Sequence, residues 1–211
     1  MAQDASIRVY VGDVDNIIEK YGCDVASLPT HRKESYARCK NEDDKRRSLA
    51  VSHLYVQALK EQGLDVDMGV HFAKNGKLCL DCDDNYVNLS HGGDYVACAI
   101  AGCEIGVDVE SIRPCKDTVL RRMLKSENLD DTDMPQHILG LSGKEKDRAF
   151  TSYWTRKESQ VKLDGRGIGA LGHLDESLIC TKTFEPFDDC FLSVSVYADA
   201  ANQTMELILI R

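Results

Sequence analysis

Apolar and polar positions divide the chain into two stretches of similar plan. Ile7-Arg-Val-Tyr-Val11 predicts a short strand, Asp15 to Tyr21 a brief helix stopped by Gly22, and Thr30 to Cys39 a charged helical segment opened by Pro29. A longer helix is expected from about Asp43 to Gln62, ended by Gly63. Its residues Leu49, Ala50, Leu54, Val56, Ala58 and Leu59 cover a broad face, so it should be well buried. Strands follow. Val70 to Phe72 and Lys77 to Leu80 flank Asn75-Gly76, a strong hairpin signal. Asn88 to Ser90 is short, Tyr95 to Ile100 is wholly apolar, and Ile105 to Glu110 alternates.

The second stretch repeats the plan. Asp117 to Lys125 predicts a helix, and Ser126 to Leu141, polar and containing Pro135, predicts an irregular loop. Ser142-Gly-Lys-Glu145 reads as a capping box and Gly165 as a left-handed stop, which brackets a second long helix. Strands then run over Ser177 to Thr183, Cys190 to Tyr197 and Met205 to Ile210. The expected class is α+β, with two subdomains, 1–101 and 102–211, each a small antiparallel sheet on a long helix. The long helices begin about 100 residues apart, a spacing that suggests duplication.

Composition narrows the function. With 211 residues the chain can bury a sizeable core. A formal net charge of −9 and the lack of a basic run argue against nucleic acid. No apolar stretch approaches a membrane span, and Met1 to Arg8 lacks the plan of a signal peptide, so a cytosolic monomer is expected. Nine cysteines, an odd count, do not form a disulfide framework there. Cys79-x-x-Cys82 lacks a second pair at zinc spacing, and most cysteines read as small buried residues.

Three clusters carry chemistry. Along Ile105 to Glu110 the carboxylates of Asp108 and Glu110 share one strand face with Gly106, at about 6.5–7 Å along the backbone. Such a pair repels unless a hard divalent cation bridges it, and magnesium suits carboxylates plus phosphate. Gly106 would leave room for a ligand. The alternative is an edge strand with a wet face. Helical spacing places Trp154, Glu158, Val161 and Lys162 on one side of the second long helix. Glu158 is a natural third carboxylate, and Lys157 and Lys162 could balance phosphate charge. Lys45, Arg46 and Arg47 crowd the first turns of the first long helix, against its dipole. This points to an anionic ligand near Arg47 or to a solvated basic face.

Ile105-Gly-Val-Asp-Val-Glu110 and Trp154-Thr-Arg-Lys-Glu-Ser-Gln-Val-Lys162 resemble the two signature motifs of the 4′-phosphopantetheinyl transferases, in their surfactin-synthetase-activating branch. Asn88-Leu-Ser-His91 and Asn75-Gly76-Lys77 look like two further motifs of that branch, in order, and the likeness runs from about Pro29 to Ala170. It implies a pseudo-twofold α+β fold and transfer of the phosphopantetheine arm of coenzyme A to a serine of an acyl- or peptidyl-carrier protein, releasing 3′,5′-ADP. By resemblance, Asp108, Glu110 and Glu158 match magnesium ligands, Glu158 also the candidate base, and Lys162 the lysine at the leaving phosphate. Lys157, Ser90 and His91 match phosphate contacts, and Gly76 and Lys77 the adenine-side hairpin. Arg47 and Ser48 match a pair near the 3′-phosphate, and Arg32 falls near a lysine that holds it. Ser35 stands where a second lysine would be. Gly92-Gly93 replaces the more usual Ser-Gly. The carrier would dock on the helix Asp117 to Lys125, where Arg121, Leu124 and Lys125 can share a face. Rival readings are a magnesium-dependent nucleotide phosphohydrolase, which would use the same acids with water as acceptor, and a non-catalytic binding protein of the same fold.

Overall fold

The computed structural model describes residues 6–74, 76–82, 84–115, 117–126, 133–167 and 174–211. Its layers run helix, sheet, sheet, helix. The first sheet has the order β4-β5-β1-β9: Tyr86–Gly92, Tyr95–Ala101, Ile7–Asp13 and Met205–Ile210. Strands β4 and β1 pair antiparallel with β5, while β9 comes from the C-terminal stretch and runs parallel to β1. The second sheet is β6-β8-β7: Ile105–Ser111, Cys190–Tyr197 and Ile179–Phe187.

Every residue of β5 is buried, which is why that strand reads as an unbroken apolar run. One face, with Val96, Cys98 and Ile100, packs with Tyr10 on Leu54, Ala58 and Leu59 of the long helix α3, Glu42–Glu61. The other face, with Ala97 and Ala99, packs with Val9 and Val11 on Val107, Val109, Leu192 and Val194 of the second sheet. Helix α6, Gly143–Asp164, covers the outer face of that second sheet. Several of the buried groups between them are hydroxyls. Ser159 and Ser195 meet at 2.8 Å, Thr181 and Ser195 at 2.8 Å, and Ser193 donates to Thr155 at 3.1 Å.

The short helices α1, Val14–Tyr21, and α2, Thr30–Ala37, lie where expected, as does the hairpin of β2, Val70–Phe72, and β3, Leu78–Leu80. Gly76 takes the positive φ of 84° that the hairpin turn requires. Helix α4, Asp117–Ser126, is also present.

Four expectations are corrected. The stretch expected as a loop contains α5, Asp133–Gly140, whose Ile138 is buried with Leu120, Phe150 and Tyr153. Helix-forming contacts with α6 outweigh the polar composition and Pro135. Ser142 is the N-cap of α6, but its side chain makes no capping hydrogen bond. Lys45, Arg46 and Arg47 do not oppose the dipole unaided: Lys45 pairs with Glu42 at 2.7 Å, Arg46 with Asp15, and Arg47 with Asp44 at 2.7 Å. Of the nine free cysteines only Cys98 and Cys190 are buried, because most of the others stand in turns or at element ends. No helix of the described residues is long and apolar enough to cross a membrane.

Candidate active site

The site forms where the edges of the two sheets meet under α6. Strand β6 is the outer strand of its sheet, so its free amides need partners. Side chains of β4 supply them. Asn88 Oδ1 accepts from Val107 N at 2.9 Å, and Ser90 Oγ accepts from Val109 N at 3.2 Å. The close approach depends on two glycines. A Cβ on Gly92 would stand 2.3 Å from Val109 O and 2.6 Å from Glu110 Oε2. Gly93, at φ 59°, would meet Ser111 Oγ. The Gly92-Gly93 pair therefore has a packing reason that its spelling in the sequence does not disclose.

Gly106 behaves differently from expectation. A Cβ there would lie 2.1 Å from Ser159 O and 2.4 Å from Leu163 N. The space it leaves is filled by the backbone of α6, not by a ligand. This contact brings the helix down far enough for Lys162 to reach β6 and β4.

Asp108 is the centre of the cluster. Its side chain is buried, and Oδ1 accepts from Ser90 Oγ at 2.8 Å and from Lys162 Nζ at 2.7 Å. Lys162 Nζ also lies 2.7 Å from Ser90 Oγ. Oδ2 is buried without a hydrogen-bond partner among the described residues. Glu110 and Glu158 complete the acid set. Burial, and then the charge of Asp108, push the Glu110 carboxyl up to about 7. Burial, and then Asp108, also raise the Glu158 carboxyl. Asp108 thus lies within electrostatic reach of both other acids. The three do not form a closed cage: among the described residues no three acid, histidine or cysteine side chains stand close enough for that.

Cations and donors surround the acids. His91 is exposed at the mouth of a crowded cleft, and desolvation there, then Lys162 and Arg47, hold its imidazolium below the usual range. Arg47 also donates to Gly93 O at 3.4 Å. Arg32 is buried at 8% exposure, with Nε donating to Ser52 Oγ at 2.9 Å and no ion pair among the described residues. Ser48 Oγ, on the same helix as Ser52, is buried with no hydrogen-bond partner among the described residues. Lys77 Nζ, its pKa lowered by burial, donates to Leu163 O at 3.0 Å and so closes the hairpin onto the end of α6. A cavity of about 310 Å³ runs between hairpin and helix, lined by Arg32, Phe72, Gly76, Lys77, Val161 and Lys162 among others.

The structure thus joins Asp108, Ser90 and Lys162 by hydrogen bonds, with Glu110, Glu158 and His91 within electrostatic reach and Arg32, Gly76 and Lys77 along the adjoining cavity. Lys157 faces elsewhere. It is buried and paired with Glu176, which Gln160 also contacts at 3.4 Å. Ser35 is occupied locally, donating to His31 O at 2.9 Å. On α4, Arg121 is exposed and Leu120 buried, while the side chains of Leu124 and Lys125 lie outside the described residues. The sequence did not single out Asn88 itself, or Arg113, whose Nη2 stands 3.3 Å from Glu110 Oε1. Arg113 follows the acid pair by three residues, which was the available signal.

Residues 104–197, which include β6 and α6, match the 4′-phosphopantetheinyl transferase superfamily. The chain is 27% identical over 144 residues to the 4′-phosphopantetheinyl transferase Sfp of Bacillus subtilis, covering 67% of this chain and 62% of that protein. It is 28% identical over 149 residues to the transferase gsp of Aneurinibacillus migulanus, covering 68% and 58%, and 27% identical over 145 residues to HetI of Nostoc, covering 61% and 55%. The chain therefore spans somewhat less than two thirds of the length of these curated relatives.

Proposed function

We propose, from the match of residues 104–197 to the 4′-phosphopantetheinyl transferase superfamily, that the protein transfers the phosphopantetheine arm of coenzyme A to a serine of an acyl- or peptidyl-carrier protein. The observation that carries this reading is the junction of Asp108, Glu158 and Lys162 beside a cavity edged with basic side chains. Subdomain 1–101 would supply Arg32, Arg47, Ser48, Lys77, Ser90 and His91, and subdomain 102–211 the acids and Lys162.

Coenzyme A would lie along the cavity, its adenine at the Gly76-Lys77 hairpin and its 3′-phosphate near Arg32, Arg47 and Ser48. Among the described residues Arg32 has no acidic partner and the buried Ser48 hydroxyl no hydrogen-bond partner, which supports that placement. A buried cation without a carboxylate is costly unless an anion joins it.

The acid set fits a hard divalent cation such as magnesium. Asp108 Oδ2 is buried and unpartnered among the described residues, all three donors are carboxylate oxygens, and burial, then repulsion from Asp108, raises the other two. When bound, the ion would neutralise charge on the pyrophosphate. Asp108, Glu110 and Glu158 would hold it.

In the reaction, the carrier serine oxygen forms a bond to the β-phosphorus, and the phosphorus–oxygen bond to 3′,5′-ADP breaks. The serine proton passes to Glu158, whose carboxyl is raised from its ordinary value by burial and then by the charge of Asp108. Lys162, held by Asp108 and Ser90, is placed to donate to the leaving phosphate. Lys157, paired with Glu176, is the weakest of the proposed phosphate contacts. An acidic carrier meeting an acidic enzyme needs a local basic patch, and Arg121 on α4 is placed to contribute to one.

The test is incubation with coenzyme A, magnesium and a panel of apo-carrier proteins, read by mass. A gain of one phosphopantetheine on a carrier serine supports the reading. Release of 3′,5′-ADP from coenzyme A alone, with no carrier modified, would favour the phosphohydrolase.

A further inference from the structure

Arg113 sits where β6 ends, on the open flank of the acid cluster. Its Nη2 lies 3.3 Å from Glu110 Oε1. The guanidinium also lies over the ring of Trp154, 5.6 Å from its centroid, and the Arg113 amide donates to Thr151 Oγ1 at 3.4 Å. Trp154 in turn packs on Phe150 at 6.0 Å, so the surface beneath the guanidinium is anchored. The other oxygen of Glu110 is backed by β4, where a Cβ on Gly92 would come within 2.6 Å of Oε2. One carboxylate is thereby fixed from two sides, by backbone behind and by a cation in front.

The two partners differ in mobility. The Glu110 side chain is only 13% exposed, whereas that of Arg113 is 47% exposed. Arg113 can release the carboxylate and stay solvated, so its departure is cheap. The Glu110 carboxylate, the more buried of the two, is the harder to resolvate. A divalent ion arriving at the Glu110 carboxylate meets the like charge of the Arg113 guanidinium, so the two cations compete for it.

We propose that Arg113 is a positioning residue that acts as a placeholder cation: stacked on Trp154, it holds Glu110 in the cluster and yields that carboxylate to an incoming divalent ion. This rests on the reading that Asp108, Glu110 and Glu158 bind such an ion. Without Arg113, three crowded acids would have no neutralising charge on their open side, and Glu110 would be free to turn away. With it, the site stays assembled between turnovers.

Trp154 is the only tryptophan of the chain, so its emission reports directly on the stacked guanidinium. The experiment titrates magnesium alone into the full-length protein, following emission and, separately, heat. In the wild type, emission should change saturably with the same midpoint as the heat of binding. Arg113→Met keeps the aliphatic stem and removes the charge. It should bind magnesium about three- to tenfold tighter, the scale of an exposed ion pair acting on a doubly charged ion, and its emission should no longer follow binding. Arg113→Lys, which keeps a cation, should return the affinity to near the wild-type value. If the Met variant does not fold, the wild-type emission titration and the Lys variant decide the matter. Binding with unaltered emission in the wild type, or equal affinity in the Met variant, overturns the placeholder role and leaves the metal reading standing. No binding of magnesium to the wild type overturns both.

Discussion

Asn88 Oδ1 accepts the amide of Val107 at 2.9 Å, and this one side chain does the work of a backbone partner at the edge of β6. Two sheets that share no backbone ladder are thereby joined beside the acids. Asn88 is buried, so deleting its oxygen leaves the Val107 amide without a partner. Asn88→Ala should lower the unfolding free energy by about 1–3 kcal/mol, with a lower apparent affinity for coenzyme A. Urea unfolding and a coenzyme A titration check the two effects. Unchanged stability would mean that water replaces the lost bond.

Much of this was legible beforehand because it depends on local pattern. Alternation along Ile105 to Glu110, the broad apolar face of α3 and the Gly76 turn each follow from short-range geometry. Asp108, Glu110, Glu158 and Lys162 stood out in the sequence for a second reason: they are charges on elements that otherwise pack. What stayed hidden depends on distant neighbours. Gly106 looks like an opening until α6 fills it, and Gly92 looks incidental until Val109 presses on it. Helix α6 hides its packing face because Thr155 and Ser159 meet Ser193 and Ser195 through hydroxyls, so no apolar stripe appears. Lys157 shares a motif with Glu158 but points to Glu176, a partner 19 residues away that no spacing rule supplies.

Gly106 and Gly140 make a matched pair of substitutions. A Cβ on Gly106 would collide with backbone atoms of α6, which cannot turn aside, whereas a Cβ on Gly140 meets nothing within 4 Å. Gly106→Ala should destabilise by about 1–3 kcal/mol or more and lower turnover further, since Glu158 and Lys162 move with the helix. Gly140→Ala should change stability by less than about 1 kcal/mol. Equal melting temperatures for the two variants would contradict the close approach.

Acidification should act through His53. Its ring stacks on Tyr21 at 5.7 Å, and Nε2 donates to Gly22 O at 3.0 Å. Burial holds its pKa below the usual value despite that bond. The folded state is therefore the weaker proton binder, and the unfolded chain protonates first as pH falls through about 6.5. The stability contributed is intact above that point and lost below it, by at most about 1.4 kcal/mol per pH unit. His53→Gln can still donate to Gly22 but does not titrate. Between pH 7.5 and 5.5 the wild type should lose more unfolding free energy than this variant. Parallel losses would show that His53 is not the group responsible.

Asp108 separates a structural role from a functional one. Its Oδ1 is shared by Ser90 and Lys162, which an amide oxygen can also satisfy, so Asp108→Asn keeps both hydrogen bonds. The substitution removes a negative charge that raises both Glu110 and Glu158. Relief of that repulsion offsets the weaker pairing with Lys162, and stability without metal should change by less than about 1 kcal/mol. Catalysis should not survive, because Oδ2 becomes an amide nitrogen that cannot bind a cation. Transfer to carrier protein should fall by at least about a hundredfold, the range for loss of a charge-stabilising group, and excess chelator should silence the wild type until magnesium is restored. Residues that merely support a fold show the opposite pattern, losing stability first and activity in proportion. Full turnover of the wild type in chelator would remove the metal from the reading. A destabilised but active Asp108→Asn would place Asp108 in the scaffold and leave Glu158 and Lys162 to carry the chemistry.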